Sequence, residues 1–383
     1  MEPVFPAEEY AQRRARLRTA MEEQGLRALV VTGPEEISYL SGLANQGHFV
    51  FTALVVDAAG EPATLVAREM EEPTAAAQAS TCAFAGYGDS TDPAELVREV
   101  LPGLGRGERR VGYQPGSLSF PVAVWRGLDE RLRPVSWVDC DQLLAELQAV
   151  RSEREINRLR QAGRLSDIGM RAGVAAASIE SPGGQVVGAI EHAMLAAGSD
   201  YPGFVPLVRS TEQIRQEHVA WVPGHLSAGD TIFLELSGAC ARYHAPLGRT
   251  VRPRGSRPER ADEISRIGLA SIQRAMRPGR AAGDVYREWS EAVGAELGHA
   301  YTRHHCGYVV GLGFPPSWIA GRVASLRPDN STALRAGMTF HIQSWILDPE
   351  AGVYALSDTA LLTRDGCELL TQTPHDLVRP AGR

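Results

Sequence analysis

One local signal divides this 383-residue chain into two unlike parts. In Gln148-Ala149-Val150-Arg151-Ser152-Glu153-Arg154-Glu155-Ile156, Ser152 stands three residues before Glu155 at the head of a long helical pattern. A serine there accepts from the backbone N–H of the third helical residue, and a glutamate at that residue reaches back to the serine N–H, so the pair fixes a helix start. Upstream of it, helix-like and strand-like runs alternate to about Asp141. Tyr10, Leu17 and Met21 share one face of a helix over 8–24, 28–32 reads as a short buried strand and 49–56 as another. That alternation predicts a smaller α/β domain over 1–147. Downstream, helical stretches at 153–177, 183–197, 260–277 and 282–298 alternate with β-like runs at 231–236, 339–347 and 353–363. They predict an α+β domain over 148–383, with helices covering one face of an antiparallel sheet.

The length itself favours two cores. A net charge of −7 argues against a nucleic-acid or anionic-membrane surface. Cys82, Cys140, Cys240, Cys306 and Cys367 are odd in number and lack CxxC spacing, which predicts a reducing, cytoplasmic setting. No stretch approaches the roughly 20 apolar residues that span a bilayer, and residues 1–6 carry no basic region followed by an apolar run. The expectation is a protein neither secreted nor anchored.

Several residues point to chemistry. Glu235 interrupts the apolar run Thr231-Ile232-Phe233-Leu234-Glu235-Leu236, where an unpaired carboxylate is expensive. Either it bonds a buried structural partner, or it faces a cavity whose desolvation tunes it as base or nucleophile; buried acids gather at sites, which favours the second. His341 and Gln343 alternate along 338–343 and so share a face. Ser357 and Asp358 are adjacent on a strand and so face opposite sides, Ser357 toward the pocket and Asp358 toward a structural role. A zinc site from His244, His304, His305 and His341 is conceivable, but their spacing matches no zinc motif. Arg303, Arg249 and Arg322 are candidates for gripping a carboxylate in bidentate fashion. Phe314 and Trp318, around Pro315-Pro316, are either aromatic walls for a small ring or cation, or core.

Three segments read together carry a family pattern: Leu234-Glu235-Leu236-Ser237-Gly238 with Tyr243-His244-Ala245-Pro246-Leu247-Gly248-Arg249-Thr250; Gly307-Tyr308-Val309-Val310-Gly311; and Gly337-Met338-Thr339-Phe340-His341-Ile342-Gln343 with Ser357-Asp358-Thr359. With Tyr39-Leu40-Ser41-Gly42 upstream, they resemble the creatinase/aminopeptidase P/methionine aminopeptidase family, whose catalytic domain is the pita-bread fold. The resemblance implies a pita-bread domain preceded by a creatinase-type N-terminal domain. The family's metal enzymes carry Asp, Asp, His, Glu and Glu at five positions that here read Glu235, Pro246, Tyr308, Gln343 and Ser357. Proline, tyrosine, glutamine and serine do not supply the anionic or imidazole ligands that a pair of divalent cations needs, so no metal and no other cofactor is expected.

The chain is most similar to the metal-free branches, creatinase and above all ectoine hydrolase with its relatives. By that resemblance His218 is a proton-transfer group, a task suited to an imidazole. Tyr308 donates into the pocket, and Tyr308 with Gln343 orients the substrate. His48, Phe49 and Phe51 then line the active site of the mate in a homodimer. The expected function is metal-independent hydrolysis of a C–N bond in a small carboxylate-bearing cyclic amidine, ectoine or 5-hydroxyectoine being the best single choice. Glu235, His218 and Tyr308 would do the chemistry, with Gln343, His341, Arg303, Phe314, Trp318, Ser357 and Phe49 against the substrate. The alternatives are creatinase-like release of urea from creatine and a non-catalytic binding module; a metallopeptidase ranks last.

Overall fold

The computed structural model describes residues 3–101, 110–177, 182–216, 224–227, 229–319 and 325–379. The chain divides into two compact units, Met1–Gln148 and Ala149–Arg383.

The first unit is a six-stranded mixed sheet: β1 (Ala28–Val31), β2 (Ala53–Asp57), β3 (Thr64–Arg68), β4 (Ala83–Tyr87), β5 (Arg110–Tyr113) and β6 (Ser136–Asp139), in the order β4-β3-β2-β1-β5-β6. Tyr10, Leu17 and Met21 are buried from the helix Ala7–Glu23, as their spacing requires. The strand read from 49 starts only at Ala53. Phe49 lies instead in the 3-10 turn Gly47–Phe49 and is 80% exposed. An apolar run that begins at the end of a turn shows the same composition as a strand, and composition alone does not mark the boundary.

The second unit is built on β7 (Leu207–Ser210), β8 (Ile232–Cys240), β9 (Tyr243–Arg252), β10 (Gly307–Val309), β11 (Thr339–Asp348) and β12 (Gly352–Leu362). They run β10-β11-β12-β9-β8-β7, each pair antiparallel, with two short strands added at β12 and β9. The helix Glu153–Ala176 starts on the full capping box: Ser152 caps the Glu155 N–H and Glu155 accepts from the Ser152 N–H. The other Glu155 oxygen accepts from Tyr243 Oη at 3.0 Å, so the residue that starts the helix also ties it to β9.

Alternation gives this sheet a helix-covered face and a polar face. On the covered face, Leu234, Leu236, Leu247 and Val251 pack with Met170, Ile190 and Met194 of the helices Glu153–Ala176 and Gly183–Ala196. Further along, Phe340, Ile342, Ile346 and Leu356 pack with Ile272, Trp289 and Val293 of the helices Arg260–Ala275 and Ala282–Leu297. Each such side chain contributes about 1.5–3 kcal/mol by leaving water, which commits the face to the core. The residues between them therefore point the other way.

Candidate active site on the polar face of the sheet

Strand register arranges that other face in rows. Glu235 on β8 lies opposite Gly248 on β9, Gly248 opposite Ser357 on β12, and Ser357 opposite Gln343 on β11. One row along, Ser237 faces Pro246, while His341 stands between Thr359 and Tyr308 of β10. In the other direction, Arg209 on β7 faces Phe233, and Trp345 faces Ala355. Glu235, Pro246, Tyr308, Gln343 and Ser357, drawn from segments more than a hundred residues apart, thus share one face.

His341 is the centre of a hydrogen-bonded chain and is fully buried. Its Nδ1 is 2.9 Å from Tyr308 Oη and 3.1 Å from Gln343 Nε2, and its Nε2 is 2.7 Å from Ser357 Oγ. Trp318 Nε1, which only donates, lies 2.9 Å from Tyr308 Oη. The Tyr308 oxygen accepts that bond, and Gln343 Nε2, an amide nitrogen that only donates, points at His341 Nδ1, so Nδ1 is the accepting nitrogen and takes the Tyr308 proton as well. The imidazole therefore carries its proton on Nε2 and gives it to Ser357. Burial fits this neutral state: it pulls His341 down to about 3 and pushes Tyr308 up, with the Glu235 charge adding to the rise of Tyr308. Room for the Ser357 hydroxyl comes from Gly248, where a Cβ would lie 2.4 Å from Ser357 Oγ.

Glu235 is buried on this face, its Oε1 3.8 Å from His341 Nδ1. Ser357, His341 and Glu235 thus form an outline like a nucleophile, base and acid. The tautomer is wrong for a serine nucleophile, because Nε2 donates to Ser357 where it would have to accept. Glu235 remains the one carboxyl group among the described residues of the Ser357 and His341 rows.

The donor set does not fit a pair of metal ions. Pro246 has no donor, Ser357 Oγ takes the His341 proton, Tyr308 is held protonated and Gln343 is neutral. Among the described residues no group of three or more His, Cys, Asp or Glu side chains is arranged to hold a metal.

The remaining candidates fall in different places. Asp358 and Arg249 pair at 2.7 Å on the helix side, both fully buried, and His375 joins Asp358 at 2.8 Å. Arg249 also donates to the carbonyls of Ser357, Thr373 and Pro374, so it is a structural brace and not a grip for substrate. Both His244 nitrogens are engaged by backbone, one toward the Arg242 carbonyl and the other accepting from the Gly203 N–H, and burial holds its pKa at about 3. Phe314 is buried 5.0 Å beneath the Arg242 guanidinium. Trp318 touches the site through its bond to Tyr308. Arg303 lies 5.2 Å over the Trp345 ring, which packs edge-on to Phe233 at 4.9 Å on the polar face. His218 and Arg322 lie outside the described residues. Phe49 belongs to the first unit.

Two members of this face were not singled out from the sequence. Arg209 is 3% exposed, and Trp345 is 8% exposed. The available signal was period-two alternation: Trp345 follows His341 and Gln343, and Arg209 alternates with Leu207 on a strand only four residues long.

Comparison with known proteins is consistent with this frame. Residues 157–364 match the model of metallopeptidase family M24, and 13–150 match the creatinase/prolidase N-terminal domain. The ectoine hydrolase of Halomonas elongata is 28% identical, over 97% of this chain and 98% of its own. A probable dipeptidase PepE of Mycobacterium bovis is 30% identical, over 98% of this chain and 97% of its own. Among solved structures, dipeptidase PepE from Mycobacterium ulcerans superposes with a TM-score of 0.83 at 24% identity, covering 98% of this chain and 99% of that one. The chain therefore belongs to metallopeptidase family M24, with a creatinase/prolidase N-terminal domain ahead of its pita-bread domain.

Proposed function

We propose that this protein hydrolyses a C–N bond of a small carboxylate-bearing cyclic amidine without a metal, with ectoine or 5-hydroxyectoine as substrate. The observation that carries the reading is one buried carboxylate, Glu235, beside a chain of neutral hydrogen-bonding groups, Tyr308, His341 and Ser357, at positions where the family resemblance implies metal ligands. Similarity to an ectoine hydrolase along nearly the whole chain supports the substrate class.

In this reading Glu235 either attacks the amidinium carbon or takes a proton from the water that attacks that carbon. In the first form, one C–N bond breaks as the leaving nitrogen takes a proton, and water then cleaves the Glu235–carbon ester-type bond to free the carboxylate. In the second form, water oxygen bonds to carbon, its proton goes to Glu235, and the tetrahedral adduct collapses. One C–N bond then breaks, and the leaving nitrogen takes the proton back. Tyr308 and Gln343 orient the ring, and His218 moves protons. A carboxylate in a largely dry site attracts an amidinium more strongly than it would in water.

The test is an NMR-monitored incubation of the protein with ectoine, 5-hydroxyectoine and creatine, beside Glu235→Gln. Opening of the amidine ring by the wild type and its loss, on the order of 10³-fold or more, in Glu235→Gln is the expected result. Near-normal turnover in the variant would remove this mechanism, and urea from creatine would replace the substrate.

A further inference from the structure

Arg209 is an arginine buried on the same face as Glu235. It stands opposite Phe233 on β8, and Phe233 and Glu235 are two residues apart on that strand, so Arg209 is the diagonal neighbour of Glu235. A diagonal pair lies within reach of a long side chain. Burying a guanidinium is costly, and attraction to Glu235 offsets part of that cost. The other titratable or charged groups toward Glu235 among the described residues are His341 and Tyr308, both held neutral, and His305 against the Tyr308 ring. Arg303 lies one row away over Trp345. Asp358 and Arg249 engage each other on the opposite face. On the other side of β8 from Arg209, β9 contributes Gly248 and Pro246 and β12 contributes Ser357, none of which carries a charge.

We propose that Arg209 is the positioning counter-charge of Glu235, fixing its carboxylate on the polar face of the sheet. The catalytic meaning of this pairing rests on the reading of Glu235 as the reactive group, whereas the pairing itself does not. Arg209 acts through Glu235 and is not assigned a contact with substrate.

The test uses the full chain and no substrate. Protein labelled at the glutamate side-chain carboxyl carbon is titrated by NMR, and the Glu235 signal is identified by its absence in Glu235→Gln. In Arg209→Met the Glu235 midpoint is expected to rise by about one pH unit or more, because an opposite charge has been withdrawn. Arg209→Lys, which keeps the charge, is expected to return it toward the wild-type position. An unmoved midpoint in Arg209→Met, or a rise in Arg209→Lys as large as in Arg209→Met, would overturn the pairing. Should Arg209→Met fail to fold, the double variant Arg209→Met/Glu235→Gln is expected to regain the near-ultraviolet circular dichroism of the folded protein, since no uncompensated carboxylate remains. Failure of both variants to fold would assign Arg209 to packing alone and overturn the proposal. Absence of ectoine turnover leaves this test intact, and an unmoved Glu235 midpoint leaves the hydrolase reading intact.

Discussion

His341 shows how a neutral residue can organise a site built around a charge. Its tautomer is imposed from outside: Trp318 donates to Tyr308, Tyr308 donates to His341, and His341 donates to Ser357. Replacing Tyr308 by Phe removes the middle oxygen. The buried Trp318 N–H then loses its acceptor, and His341 Nδ1 keeps only Gln343. Chemical denaturation is expected to register a loss of about 2 kcal/mol in Tyr308→Phe, the usual cost of stranding a buried donor. A change below a few tenths of a kcal/mol would mean that the chain of bonds does not persist in solution. Of this site, Glu235, Tyr308, Gln343 and Ser357 were legible in the sequence because family spacing and strand alternation point to them. Arg209 was not, because one arginine in so arginine-rich a chain carries no signal until register places it opposite Phe233.

At the scale of elements, the long helices were legible because a 3.6-residue apolar period survives over several turns. The capping box at Ser152 fixed where one of them begins. β9 was not read as a strand, although Tyr243–Arg252 is buried along its whole length. Its polar members are His244, Arg249, Thr250 and Arg252, and their partners come from segments distant in sequence, so neither alternation nor apolar content marks the strand. The close passage of β9 and β12 has its own test. In Gly248→Ala the new methyl meets Ser357 Oγ, and overpacking of this kind costs about 1–3 kcal/mol. Adding Ser357→Ala is expected to recover part of that loss in denaturant titration. A double variant no more stable than Gly248→Ala alone would show that the contact does not limit the approach of the strands.

Across the whole molecule, burial of neutral histidines couples stability to pH. His244 and His341 are held near 3 in the folded state against an ordinary value of about 6.5. Between those values the unfolded chain binds protons that the folded chain refuses, so stability falls as pH is lowered from about 6.5 and is intact above it. Denaturation midpoints measured from pH 7.5 to pH 4.5 are expected to fall through this window; a flat profile would contradict the buried neutral state.

The larger claim is that an M24 scaffold here runs on an organic site. By the family resemblance, Glu235, Tyr308, Gln343 and Ser357 occupy positions that carry ion ligands in the metal enzymes, and here they gather as one carboxylate among neutral hydrogen-bonding groups. Its most direct test is ectoine hydrolysis by protein stripped with a chelator and analysed for bound metal, assayed before and after addition of manganese or cobalt. Turnover by the metal-stripped protein, left unchanged by added metal, is the expected result. Turnover that appears only when manganese or cobalt is restored would contradict it.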